Sequence, residues 1–191
     1  MSTHERAHQD EANNVTYQRC QFAYEFAVPY ITGKDVLDVG CGNAYGTALM
    51  ARSARNIQGV DYDAATVADN AQRYSSITNL SFRQGAVPPL PFPDQSFDVV
   101  TAFQFIEHIE KRKEFLAECL RVLRPGGRLL VTTPNVKKSL ARNPFHVHEY
   151  TFDEMRSEIG SLTKQFELKG LNGNEKVNTY YAENGKFVRM I

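Results

Sequence analysis

The sequence has no net charge, few cysteines and no long apolar run, and each absence narrows what the chain can be. Lysine plus arginine and aspartate plus glutamate both number 22, so no overall field draws the chain to nucleic acid or to anionic lipid. The three cysteines, Cys20, Cys41 and Cys119, are too widely spaced for a disulfide framework or a cysteine metal motif, which fits a reducing compartment. No stretch approaches the roughly twenty apolar residues of a membrane span. The opening MSTHERAHQDEANN lacks the apolar centre of a secretion signal, so a cytoplasmic location is expected. There is no internal repeat, and no array of basic and aromatic residues such as single-strand nucleic-acid binders use. A chain of 191 residues suits one domain. Residues 1–14 are expected as a flexible leader and 15–191 as the domain.

What is present is an alternation of short apolar runs with helical patterns. Tyr17, Cys20, Phe22, Ala23, Phe26 and Ala27 recur at helical spacing, and Pro29 is expected to end that helix. Strands are expected at Lys34–Gly40, Asn56–Asp61, Leu80–Gln84, Phe97–Phe103 and Arg128–Thr133, with two more at Phe166–Leu171 and Gly185–Ile191. A helix should follow the first strand to about Arg52, and another, capped by Asp63, should run to Arg73. Residues 86–96 hold four prolines and read as an irregular surface segment. Phe115, Leu116, Cys119, Leu120 and Leu123 share a helical face that Pro125-Gly126-Gly127 should terminate. Thr151 and Glu154 form a capping box for a helix that Gly160 should end. Alternating strands and helices imply a doubly wound, mostly parallel α/β sheet, seven-stranded on this count and flanked by helices.

Chemistry concentrates first at Val36–Thr47, VLDVGCGNAYGT. A strand that runs into Gly40 and Gly42 and then a helix can turn tightly at positive φ and bring backbone N–H groups to a ligand. A plain β–α turn that happens to use glycine would look the same. Asp61, which ends the second strand about twenty residues on, separates the two readings, because an acid there accepts from ribose hydroxyls in nucleotide-binding α/β sheets. An oxidoreductase using a nicotinamide dinucleotide would share these features, but GCGNA lacks the G-x-G-x-x-G pyrophosphate pattern.

Four segments, VLDVGCG, GVDYD, LPFPDQSFDVV leading into FIEHI, and LRPGGRLLVTTPN, occur in that order between residues 34 and 135. Together they resemble the class I S-adenosylmethionine-dependent methyltransferases, in particular the group acting on small molecules such as quinones, sugars and lipid-linked intermediates. NPFHVHEYTFDEM resembles a late block of bacterial members. The resemblance implies a Rossmann-like fold, S-adenosylmethionine as cofactor and a small-molecule methyl acceptor. It implies that Asp38 organises the glycine loop and receives the methionine amino group. Gly40 and Gly42 would lie against methionine and ribose, Asp61 would hold the ribose hydroxyls, Tyr62 would cover adenine, Phe103 would line the methionine end, and Tyr45 would contact the cofactor from the following helix. Two positions depart from the family. Ala44 replaces a third glycine, with helical φ expected there. Ala86 replaces an aspartate that accepts from the adenine amino group, leaving the backbone of Ala86 and Val87 to read that edge. These two departures are the best support for a rival class, a cofactor-binding protein without catalysis.

Candidate acid–base groups are Glu107, His108, His146, His148 and Glu149. His108, beyond the fourth strand, is either a general base or a group that orients the loop. The same residues raise the question of a metal, since some family members use an EXXEH pattern for a divalent ion. Here Gln104 stands at the leading glutamate, and an amide is a poor ligand for a hard cation, so no metal is expected. Lys137, Lys138 and Arg142 form a basic stretch that either attracts an anionic acceptor or is simply solvated.

Overall fold

The computed structural model describes residues 15–137 and 143–170. Five parallel strands, β1 (Asp35–Val39), β2 (Asn56–Asp61), β3 (Leu80–Gln84), β4 (Phe97–Phe103) and β5 (Leu123–Thr132), lie in the order β3-β2-β1-β4-β5. The order reverses at β1, and in such sheets ligands bind outside the carboxyl ends of the strands at the reversal. The helices are α1 (Val15–Ile31), α2 (Tyr45–Ala51), α3 (Ala64–Arg73), α4 (Arg112–Val122) and α5 (Phe152–Leu162).

Strand alternation sends neighbouring residues to opposite faces. Val36, Ile57, Val99 and Phe103 pack with Ala23, Ala27, Ile31 and Met50 on the side of α1 and α2. Leu37, Val39, Val100 and Ala102 pack with Phe115, Leu116, Cys119 and Met155 on the side of α4 and α5. Both faces of β1 and β4 are thereby covered, which is why these strands read as continuous apolar runs. Asp63 caps α3, accepting from Ala65 N at 3.1 Å. The Thr151–Glu154 capping box has both of its bonds.

Several boundaries differ from those the sequence implies. α1 continues through Pro29 to Ile31, because the N–H that proline lacks falls in the last turn on an exposed side, where one lost bond is tolerated. α5 passes Gly160 and ends after Leu162, with Thr163 extended. α4 stops at Val122, ahead of the Pro-Gly-Gly turn. That turn lies inside β5, where the pairing jumps from Phe97↔Leu123 to Val99↔Arg128 and the intervening residues bulge out. Gly127 is needed in the bulge, since a Cβ there would lie 2.9 Å from the carbonyl oxygens of Arg124 and Asp98. Of seven expected strands, five form among the described residues. Residues 166–170 pair with no strand; Phe166, Glu167 and Lys169 are exposed, and no face of that stretch is buried enough to hold it on the sheet. Leu171, the last expected strand at Gly185–Ile191 and the leader 1–14 fall outside the described residues. Among the described residues no helix is long and apolar enough to cross a membrane.

Candidate cofactor and acceptor site

The carboxyl end of β1 runs into a loop in which every second residue takes the left-handed conformation: Gly40 at φ 72°, Gly42 at 52° and Ala44 at 59°. The alternation winds the chain sharply before α2. The helical φ expected at Ala44 is therefore corrected. Ala44 is fully buried with φ 59° and ψ 18°, a conformation that costs a residue with a Cβ roughly 1–2 kcal/mol and that a glycine would adopt without strain. Gly40 has a second constraint, because a Cβ there would sit 2.1 Å from the Phe105 ring. Phe105, not singled out from the sequence, thus covers the glycine loop. Phe103 instead turns toward α1, packing edge-on against Tyr24 with ring centroids 5.1 Å apart.

The loop is held from below. Asn70 Nδ2 donates to Gly42 O at 2.6 Å, and Tyr74 Oη donates to Asn43 O at 3.3 Å. From the side, Gly42 N donates to Asp61 Oδ2 at 2.9 Å, and Asp63 N donates to Asp61 Oδ1 at 3.1 Å. The glycine turn and the acid that ends β2 are thus joined directly. Gly85 N donates to Asp61 O at 2.9 Å, which brings the end of β3, with the exposed Ala86 and the half-buried Val87, to the same edge. Tyr62 is exposed beside them, and Gln84 Nε2 donates to its carbonyl at 3.2 Å. Tyr45 opens α2 and packs edge-on against Tyr24 at 5.6 Å.

Behind the loop Asp38 is buried and takes two short hydrogen bonds, from Thr47 Oγ1 at 2.6 Å and Thr101 Oγ1 at 2.7 Å. Burial raises its pKa to about 6 against the pull of the two hydroxyls, and the nearby charge of Asp61 adds to the rise. Two carboxylates that feel each other at the carboxyl ends of β1 and β2 suit a ligand that carries positive charge and a diol. S-adenosylmethionine, with its sulfonium, ammonium and ribose, has that character, so the residues present fit the cofactor that the sequence implied.

Beyond β4 the chain makes a 3-10 turn, Ile106–His108. Glu107 is fully buried, and its carbonyl accepts from Val147 N at 2.8 Å and His148 N at 3.2 Å, tethering the late loop to the turn. The tether brings Glu107, His108 and His146 together, with one ligand-type atom from each lying within 4.8 Å of the others. His148 lies apart from that group, edge-on against Tyr150. Gln104 also turns away, at φ 52°, with Nε2 donating to Thr132 Oγ1 at 3.1 Å. His146 has a partner that sequence spacing gave no reason to pair with it: its Nδ1 lies 2.6 Å from Glu149 Oε1, both side chains being nearly buried.

The topology, the reversal at β1 and the joined loop and acid define a doubly wound domain that binds a nucleoside-bearing cofactor. The methyltransferase-domain family matches residues 37–131, and the chain belongs to the class I S-adenosylmethionine-dependent methyltransferases. It is 39% identical over 174 residues to a probable S-adenosylmethionine-dependent methyltransferase of Mycolicibacterium smegmatis, covering 88% of this chain and 64% of that protein. It is 35% identical over 126 residues to a fatty-acid O-methyltransferase of the same organism, covering 61% of this chain and 46% of that protein. The chain therefore spans less than two thirds of either relative. A solved S-adenosylmethionine-dependent methyltransferase of Aquifex aeolicus shares the fold at TM-score 0.66 and 16% identity, over 80% of this chain and 84% of that one.

Proposed function

We propose that the chain transfers a methyl group from S-adenosylmethionine to a small-molecule acceptor, and that the acceptor is an oxygen of a lipid-like carboxylic acid or alcohol. The observation that carries the transfer is the Gly42 N to Asp61 Oδ2 bond with the buried Asp38 behind it. This arrangement holds two acids together at the carboxyl ends of β1 and β2. Asp61 would hold the ribose hydroxyls, Asp38 would receive the amino group, and Tyr62, Ala86 and Val87 would flank adenine. Gly40 and Gly42 would face the methionine and ribose, with Tyr45 beside them. S-adenosylmethionine, when bound, would supply a methyl group already activated by its sulfonium.

The remaining work of the protein is alignment and proton handling. A carboxylate acceptor needs no base. A hydroxyl must lose its proton, and His108 is placed to take it: its Nδ1–H donates to Phe145 O at 3.1 Å, which leaves Nε2 as the accepting nitrogen. Support for a lipid-like acceptor comes from the exposed Val136, Phe145, Val147 and Phe152 along the late loop, from exposed Lys137 beside them, and from the similarity to a fatty-acid O-methyltransferase. The test is incubation with methyl-labelled S-adenosylmethionine and a panel of carboxylated lipids, hydroxylated lipids, phenols and amines. Label on a lipid oxygen is expected. Cofactor binding with no label on any acceptor would favour a non-catalytic protein, and label on amines alone would remove the oxygen assignment.

A further inference from the structure

The segment joining β3 to β4 contains Pro88, Pro89, Pro91 and Pro93, residues with no N–H to hold a turn. Its path is set instead from α4. Glu118 Oε2 accepts from Leu90 N at 2.8 Å. Arg121 donates from Nη2 to Leu90 O at 3.1 Å, and from Nη1 to Phe92 O at 2.9 Å and Asp94 Oδ1 at 2.7 Å. Its Nε and Nη2 also donate to the two oxygens of Glu118, both at 2.7 Å. The five N–H groups of the guanidinium thus make five bonds, a set that the arginine fork offers and the lysine ammonium does not. Arg83 adds one bond, from Nη1 to Pro91 O at 2.8 Å.

The near end of the segment is fixed separately, by the bond from Gly85 N to Asp61 O at 2.9 Å. Ala86 and Val87 therefore lie between two anchors, the end of β2 on one side and the Glu118–Arg121 pair on the other. Among the described residues neither Ala86 N nor Val87 N has an acceptor. Adenine presents an amino donor beside a ring-nitrogen acceptor, and a backbone carbonyl with a neighbouring N–H complements that pair. Hypoxanthine, with an oxo group and a protonated ring nitrogen, presents the reverse. We propose that Arg121 and Glu118 are positioning residues for base selection: they hold the proline segment so that the backbone of Ala86 and Val87 reads the adenine edge of the cofactor. This rests on the cofactor site proposed above, and it gives adenine selection to side chains on α4 that act only through the segment they hold.

The Arg121 and Glu118 side chains keep 30% and 20% exposure, and ion pairs open to solvent contribute little to global stability, so the fold should survive their replacement. Arg121→Lys keeps the charge and loses the fork. Glu118→Gln keeps the shape but turns an amide N–H₂ toward a donor, because both Glu118 oxygens accept. Each protein is titrated calorimetrically with S-adenosylhomocysteine and with S-inosylhomocysteine, in which an oxo group replaces the adenine amino group; circular dichroism checks folding. The wild type should prefer the adenosyl ligand by at least about tenfold, the effect of one well-made hydrogen bond set against one left unmade. In both variants that preference should shrink to about twofold or less, since adenosyl binding weakens while inosyl binding hardly moves. A merely structural role would weaken both ligands by the same factor and leave the ratio intact. That result, or unchanged affinities in both variants, would overturn the proposal. Equal binding of the two ligands by the wild type would also overturn it, with the cofactor site left standing. Binding of neither ligand to the wild type would remove the cofactor site, and base selection with it.

Discussion

Replacing Asp38 with asparagine should make the protein more stable at neutral pH and less able to hold its cofactor. Asp38 is buried, and its pKa is raised from 3.8 to about 6, chiefly by burial, with the hydroxyls of Thr47 and Thr101 opposing the rise. A folded-state pKa raised above the unfolded value favours folding fully below pH ~4, and that contribution is lost as pH rises through about 6. The difference of about two units is worth about 3 kcal/mol. Asparagine has nearly the same shape, never ionises, and can still meet both hydroxyls, each of which donates or accepts. The asparagine variant should therefore match the wild type near pH 4 and exceed its stability by up to about 3 kcal/mol at pH 7.5. Urea denaturation of both proteins across that range measures the difference. In the same variant, S-adenosylmethionine affinity at pH 7.5 should fall, because the ionised carboxylate that would meet the ammonium is gone. A stability difference independent of pH, or a variant that loses stability as pH rises, would refute the reasoning about the buried charge.

Two further outcomes are expected. Ala86→Asp should tighten S-adenosylmethionine binding, by about ten- to a hundredfold if one charge-assisted bond worth about 1.5–3 kcal/mol forms with the adenine amino group; calorimetry reads this, and weaker binding in folded protein would show that the segment after Gly85 runs elsewhere. Gly46→Ala should destabilise the fold by about 1–3 kcal/mol, since the added Cβ would sit 2.0 Å from the buried Tyr24 ring; an unchanged urea midpoint would contradict the docking of α1 on α2.

The parts of the fold legible in the sequence are those written locally. β1 and β4 are mostly apolar runs of strand length, and Asp63 and the Thr151–Glu154 pair are caps whose partners lie two or three residues away. The boundaries misread from the sequence are those where tertiary context overrides a local breaker. Pro29 sits in an exposed last turn, Gly160 is carried within a helix, and the Pro-Gly-Gly turn is absorbed as a bulge because β5 begins at Leu123. In the site, the glycine loop and Asp61 were legible through their spacing. Asn70 and Tyr74 under the loop were not, because they lie 28 and 31 residues from the carbonyls they hold. Phe105, whose ring covers Gly40, was not legible, because it lies beyond the end of β4, where the turn and not strand alternation directs the side chain. The conformation of Ala44 could not be read from its type, since alanine ordinarily signals helix. The meeting of Glu107 and His108 with His146 depends on the tether from Glu107 O to Val147 and His148, a contact between segments about forty residues apart.

The central claim is that the joined glycine loop and Asp61 form the seat of S-adenosylmethionine. Calorimetric titration of S-adenosylmethionine into the wild-type chain and into Asp61→Ala tests it most directly, with circular dichroism confirming that both are folded. The account predicts one site in the wild type and at least tenfold weaker binding in the variant, a conservative bound for losing two charge-assisted bonds at about 1.5–3 kcal/mol each. No binding to the wild type, or equal dissociation constants in two folded proteins, would contradict it.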